Sequence, residues 1–435
     1  MNMVVFWVLA GGLCLASILL GMQGGRKQEK SVQEFFVCQS NLRLVSLMLT
    51  ILATQLGGGS VIGSAEAAYQ NGWVAIFYSL GIALGLMVMA FTVGPALRKF
   101  GAFTIAQVLG DLYRSRRLHI IASLLSIITL FLILVATGVS CRKVFLSLGF
   151  DSPWMLIGFW SVLIGYTILG GLRAVVVTDK LQVIFILGVF ALIIVLLGDR
   201  FIPMLNSDVL MSTGKSGISW SSWVLMPLCF MLISQDMGQR CFAAESDQGI
   251  RRAMIGGSCL LVVATFVPVF VGMLGRYLGL SVNGGSIFMA VVEATLSPAL
   301  ISFVAIAVLM AIISTADSLL CAISSNVALD FLKSKTMKQS RWVTFVIGVL
   351  SLALSFYEGD VIPVMIVGYE ISVFGLLVPF LMGLWLKEVS EKQALISLGI
   401  GVAGFLSMKF ITFPGMELLI LGAATLPYVN TRSHF

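Results

Sequence analysis

Residues Ala53–Trp73 read ATQLGGGSVIGSAEAAYQNGW. They lie where an apolar run should cross a membrane as a helix, yet Gly57, Gly58 and Gly59 are consecutive. Each glycine costs about 1 kcal/mol of helix propensity relative to alanine. Backbone released from helix hydrogen bonds inside a bilayer costs several kcal/mol more unless protein or a ligand satisfies it. Small residues also let membrane helices pack closely, as in GxxxG faces. Three glycines in a row point in three directions around a helix, however, so the preferred reading is a helix built to break.

Outward from this stretch, the 435-residue chain is 59% hydrophobic and 11% charged, with a mean hydropathy of +1.04. Those values require a bilayer as solvent and predict an all-α polytopic protein. The net charge of +7 is dispersed through short connections rather than gathered on one face, which marks topology and argues against nucleic acid. The seven cysteines include no CxxC pair and read as small packing residues. His119 and His434 are isolated in sequence, so no catalytic constellation is expected and an integral membrane enzyme is disfavoured.

Apolar runs recur at 3–22, 44–64, 72–97, 118–148, 153–170, 180–198, 222–236, 253–275, 298–328, 342–357, 361–386, 392–408 and 414–429. About thirteen spans with the N-terminus outside put 21 of the 27 Lys and Arg residues on the inner side, the bias expected of an N-out, C-in protein. The first run lacks a basic leading segment and is followed by Arg26, Lys27 and Lys30, so it reads as a helix rather than a signal peptide. The connection 98–118, with Phe103, Ile105 and Val108 at helical spacing, predicts a short amphipathic helix. The outer loop 200–223 carries Trp220 and Trp223 as interfacial anchors.

A broken membrane helix exposes main-chain carbonyls, the means by which secondary transporters build ion and substrate sites. A second signal is Ser314, Thr315, Ala316, Asp317 and Ser318, followed by Cys321, Ser324, Ser325 and Asn326. Isolated hydroxyls in such helices bond back to the preceding turn, but this density suits a hard cation that prefers oxygen ligands. An acid such as Asp317 inside a membrane is a functional candidate. Two further stretches, YTILGGLRAVVVTDK (Tyr166–Lys180) and SQDMGQRCFAAESDQGIRR (Ser234–Arg252), are expected at the inner ends of their spans.

With ISTADSLLCAISSN and VFGLLVPFLMGLWLK, these stretches in this order resemble the sodium:solute symporter family, which includes proline, sugar, sialic acid and vitamin carriers. The resemblance implies a leucine-transporter-like inverted repeat in a single transporter domain. An extra N-terminal helix at 3–22, repeats at 44–198 and 222–386, and two peripheral helices at 392–429 would compose it. The implied breaks fall in the second and seventh spans, where Pro227 supplies a chemical cause. The implied function is sodium-coupled uptake of a small organic solute by alternating access. The implied sodium ligands are the carbonyls of Ala53, Leu56 and Ala311 and the hydroxyls of Ser314 and Thr315. Asp179 matches the acid near the ion's inner exit route.

The solute would lie among Gln55, Gly59, Ser60 and Gly63 on one side and Phe230 and Met231 on the other, with Tyr369, Glu370 and Phe374 able to close the pocket. Proline-type members carry an acid and a tryptophan where this chain has Gln55 and Gly59, which argues against proline. Glu66 and Glu370 are the distinctive acids and favour an amine-bearing or cationic solute, or proton uptake. A solute-binding sensor, a proton-coupled carrier and a channel are the alternatives. The bilayer of a bacterial inner membrane and the solute are the expected partners, and no obligate protein partner is expected.

Overall fold

The computed structural model describes residues 1–26, 31–38, 42–205, 220–282, 284–334, 336–357, 359–411, 413, 415–429 and 431. Lys27, Lys30, Lys335, Arg432, His434 and most of the expected outer loop, 206–219, lie outside the described residues. Nineteen α-helices follow one another among the described residues: α1 (Met3–Arg26), α2 (Val32–Val37), α3 (Leu44–Gln55), α4 (Ser64–Asn71), α5 (Ile76–Phe91), α6 (Val93–Phe100), α7 (Ile105–Leu112), α8 (Arg116–Ser147), α9 (Pro153–Leu205), α10 (Trp220–Met231), α11 (Gln235–Ala243), α12 (Asp247–Tyr277), α13 (Ile287–Thr295), α14 (Pro298–Ser325), α15 (Met337–Leu354), α16 (Val361–Ser372), α17 (Val378–Trp385), α18 (Glu391–Ser407) and α19 (Met416–Thr425). Among the described residues, seven helical stretches are long and apolar enough to cross a membrane by themselves.

The first break occurs where the glycines stand. Helix α3 ends at Gln55, Leu56 turns out of helical geometry at φ −85° and ψ 54°, and a wide π-helical turn over Gly59–Gly63 leads into α4. The three glycines also let three different elements approach. A Cβ on Gly57 would meet the Thr315 side chain, one on Gly58 would lie 2.6 Å from Ser140 Oγ, and one on Gly59 would meet Met365 and Tyr78. Unwinding and close packing therefore operate together here.

The second break separates α10 from α11 over Leu232–Ser234, where Leu232 N–H reaches Cys229 O at 3.2 Å and Ile233 N–H reaches Phe230 O at 3.0 Å. Pro227 lies within α10, ahead of the break, so it is not the residue at which the helix opens. The start of the first broken helix meets the end of the second through Leu42 N–H to Ala243 O at 3.0 Å and Glu245 N–H to Leu42 O at 3.2 Å.

Other expectations are corrected. The fifth and sixth runs are not separated by a polar connection: α9 is helical throughout except at Gly171, at φ 52° and ψ −150°. That positive φ favours glycine, and a Cβ there would also strike the Phe35 carbonyl. Arg240, assigned to an inner loop, is fully buried in the core. The short helix α7 does form, capped by the Thr104 hydroxyl at 3.0 Å from Gln107 N, but its Ile105, Val108 and Leu109 are buried, with α8 its main neighbour. Among the described residues none of the seven cysteines forms a disulfide.

The glycine packing has a direct test. Gly58→Ala is expected to destabilise the detergent-purified protein by about 1–3 kcal/mol through overpacking against Ser140. Gly11→Ala faces open space inside α1 and should not destabilise, gaining up to about 1 kcal/mol of helix propensity. Thermal unfolding midpoints of the two variants measure the difference.

Candidate functional site

Where α3 stops, its last carbonyls lose their helical donors and face α14. Ser314 Oγ lies 2.9 Å from the Ala53 carbonyl and 3.0 Å from that of Ala311, while Thr315 Oγ1 donates to the Thr54 carbonyl at 2.7 Å. A serine hydroxyl has one proton, so Ser314 cannot satisfy both carbonyls at once. A group of oxygens with more lone pairs than protons suits a small hard cation. Ala53, Ala311 and Ser314 converge as expected, Thr315 is turned to Thr54, and Leu56 is the fully buried residue that caps α3.

Beside this cluster is a small cavity of about 30 Å³, room for roughly two water molecules. Gln55, Gly59, Ser60, Phe230, Met231 and Tyr369 line it as expected, and Thr315 belongs to both cavity and oxygen cluster. Tyr78, Asp236 and Met365 also line it. The Tyr78 and Tyr369 hydroxyls are 2.9 Å apart, the Tyr78 hydroxyl lies 3.3 Å from Met365 Sδ, and the Phe230 ring stacks on Tyr369 at 4.6 Å between centroids.

Four expected lining residues stand elsewhere. Gly63 packs against Ile362 and Val361. Glu66 lines a separate cavity of about 440 Å³ and pairs with Lys143 at 2.8 Å. Glu370 follows Tyr369 on α16, and successive helical residues point about 100° apart, so with Tyr369 turned inward Glu370 is absent from the lining. Phe374 is buried against the α18 side, its ring 6.3 Å from Phe405. Asp236 lay within a stretch already singled out, but Tyr78 and Met365 sat in apolar runs with no local signal.

Adjoining the oxygen cluster is a buried charged network. Arg240 Nη2, with two protons to share, stands within hydrogen-bonding reach of Ser318 Oγ at 2.8 Å, Thr50 Oγ1 at 3.1 Å and Thr54 Oγ1, and lies 3.5 Å from Asp179 Oδ2. Thr50 donates to the same Asp179 oxygen, and the Tyr166 hydroxyl donates to Asp317 at 2.5 Å. Asp179 is thus enclosed and neutralised by Arg240. A second tie centres on Asp330, which accepts from Thr104 at 2.9 Å and Ser123 at 2.7 Å and meets His119 Nε2 at 2.7 Å. His119, isolated in sequence, is therefore partnered in space. Gln235 joins the same region, accepting from Ile105 N at 2.7 Å and donating to Ser325 Oγ at 3.1 Å.

The sequence profile of the sodium:solute symporter family matches residues 35–401. The sodium/pantothenate symporter of Escherichia coli is 23% identical over 88% of this chain and 86% of its own length. The high-affinity choline transporter 1 of Drosophila melanogaster is 24% identical over 85% of this chain and 62% of its own. Among solved structures, a Na+-coupled sialic acid symporter superposes with a TM-score of 0.83 at 17% identity, covering 97% of this chain and 96% of that one. That likeness establishes the leucine-transporter-like fold. With an interrupted helix, a neighbouring oxygen cluster and a profile match across most of its length, the chain belongs to the sodium:solute symporter family and is a multi-pass plasma-membrane transporter that couples sodium to the movement of small organic solutes.

Proposed function

We propose that this symporter carries a small amine-bearing or cationic solute inward, with sodium held by the carbonyls of Ala53, Leu56 and Ala311 and the hydroxyls of Ser314 and Thr315. The observation that carries the reading is the shared position of Thr315, which lines the solute cavity while its hydroxyl bonds the broken helix. An ion that orders this contact orders one wall of the pocket. The solute then lies among Gln55, Gly59, Ser60, Phe230, Met231 and Tyr369. Moving one positive charge inward across 100 mV supplies about 2.3 kcal/mol before any concentration gradient is counted.

The same reading divides the chain into an added helix at 3–22, repeats at 44–198 and 222–386 and peripheral helices at 392–429, with the N-terminus outside and the C-terminus inside a bacterial inner membrane. Asp179 lies on the ion's inward route, where Arg240 must release it before an ion can pass. The choline-carrying relative supports an ammonium-bearing solute for this chain, and the relatives' range of solutes supports a pocket retuned by few residues.

Sodium-driven uptake into proteoliposomes, screened over amines, amino acids, sugars and carboxylates, tests the coupling. Ser314→Ala with Thr315→Ala should abolish both sodium-dependent uptake and the sodium-induced rise in thermal unfolding temperature; persistence of either rejects the ion site, and uptake driven by a proton gradient alone rejects sodium as the coupling ion. The charged network has its own outcome. Arg240→Gln should destabilise the protein by about 3–5 kcal/mol by leaving Asp179 unpaired, and Asp179→Asn added to it should recover much of that loss in a double-mutant cycle.

A further inference from the structure

The cavity beside the ion cluster holds one acid whose position neither the sodium site nor the packing explains. Asp236 is 3% exposed, lines the cavity, and has no basic nitrogen within 4 Å of its carboxylate among the described residues. Arg240, four residues later, donates to the Asp236 main-chain carbonyl at 2.9 Å and turns its other end to Asp179. An ionised carboxylate buried without a counter-charge is expensive. What keeps this one in place is local: it lies in the first turn of α11, where unpaired N–H groups favour an anion, and the Ser234 hydroxyl donates to it. Those contacts leave the carboxyl group facing the cavity with no cation paired to it.

Three aromatic rings share the wall with Asp236, alongside Gln55, Ser60, Thr315 and apolar side chains. Phe230 stacks on Tyr369, and Tyr78 lies parallel to Tyr369 at 6.3 Å with an interplanar angle of 14°. Aromatic faces attract cations, most strongly where water is excluded. They do little for a carboxylate, and no Lys or Arg lines this cavity to receive one.

We infer that Asp236, with Phe230, Tyr369 and Tyr78, forms a subsite for the ammonium head of the solute, and that alkylated ammonium compounds are the substrate class. This rests on the proposed position of the solute and adds the residue that reads its charge. Glu66 and Glu370, the acids singled out in the sequence, are not needed for it. Met365 Sδ, in contact with the Tyr78 hydroxyl, is the flexible group that a small head group would displace.

The experiment compares choline with its uncharged carbon isostere, 3,3-dimethyl-1-butanol, and with pantothenate, as competitors for binding to purified full-length protein in sodium. Choline should bind at least about tenfold more tightly than the isostere. Asp236→Asn should remove most of that preference while the sodium-induced thermal shift survives, and Asp236→Glu should restore part of it. Phe230→Leu should weaken choline several-fold and leave the isostere nearly unchanged. Equal affinity for choline and isostere in the wild type, or tighter pantothenate binding, overturns the inference even if no variant can be purified. Loss of the sodium response in Asp236→Asn with the choline preference intact also overturns it, because the carboxylate would then serve the ion. Absence of any sodium response in the wild type instead defeats the proposed sodium site on which the solute position rests.

Discussion

Two hydroxyls on α14 meet the carbonyls at the end of α3, and the arrangement of the core follows from that meeting. A carbonyl without its helical donor cannot be left facing lipid, so the break in α3 is tolerable only because Ser314 and Thr315 stand opposite Ala53 and Thr54. The glycines serve the same contact, since a side chain at Gly57 would drive Thr315 away. The break, the packing of α14 and the composition of the oxygen cluster are one solution to one problem of unsatisfied backbone.

Charge in the core is distributed by the same economy. Two buried acids, Asp179 and Asp317, lie near one buried guanidinium, and hydroxyls from Thr50, Thr54, Tyr166 and Ser318 bridge the groups. Removing one member of such a network leaves its partner desolvated and alone. Asp236 is held differently, by a hydroxyl and a helix end, and so faces the cavity without a paired cation. The side chain of Arg240 and the main chain beside Asp236 are joined by a hydrogen bond, which links the network to the pocket wall without pairing the two charges.

Much of this was legible in the sequence because breaks leave marks. Three glycines inside an apolar run and a dense hydroxyl cluster each violate the usual composition of a membrane helix, and both turned out to meet. Gln55, Ser60, Phe230 and Tyr369 came from the resemblance to the symporter family, carried over residue by residue onto its motifs. Tyr78 and Met365 could not be read in the same way, because an aromatic or thioether in an apolar run looks the same whether it faces lipid or a cavity. Glu66 drew attention by its charge, yet its environment is decided by Lys143, 77 residues away. Arg240 illustrates the converse: at the end of a span it reads as a loop charge, and only the oxygens gathered around it reveal a core residue.

The single non-helical residue of α9 has a mechanical consequence. Gly171 joins two long arms with no slack between them. The carbonyl of Phe35 and that of Gly21 press against this joint, at Gly171 and Gly170 respectively. Asp179 rides on the second arm, two turns from the pivot. The carbonyls of Phe35 and Gly21 occupy the space that a side chain at 170 or 171 would need, so α1 and α2 seat directly against the joint, and a β-carbon at either position would push one of them off α9.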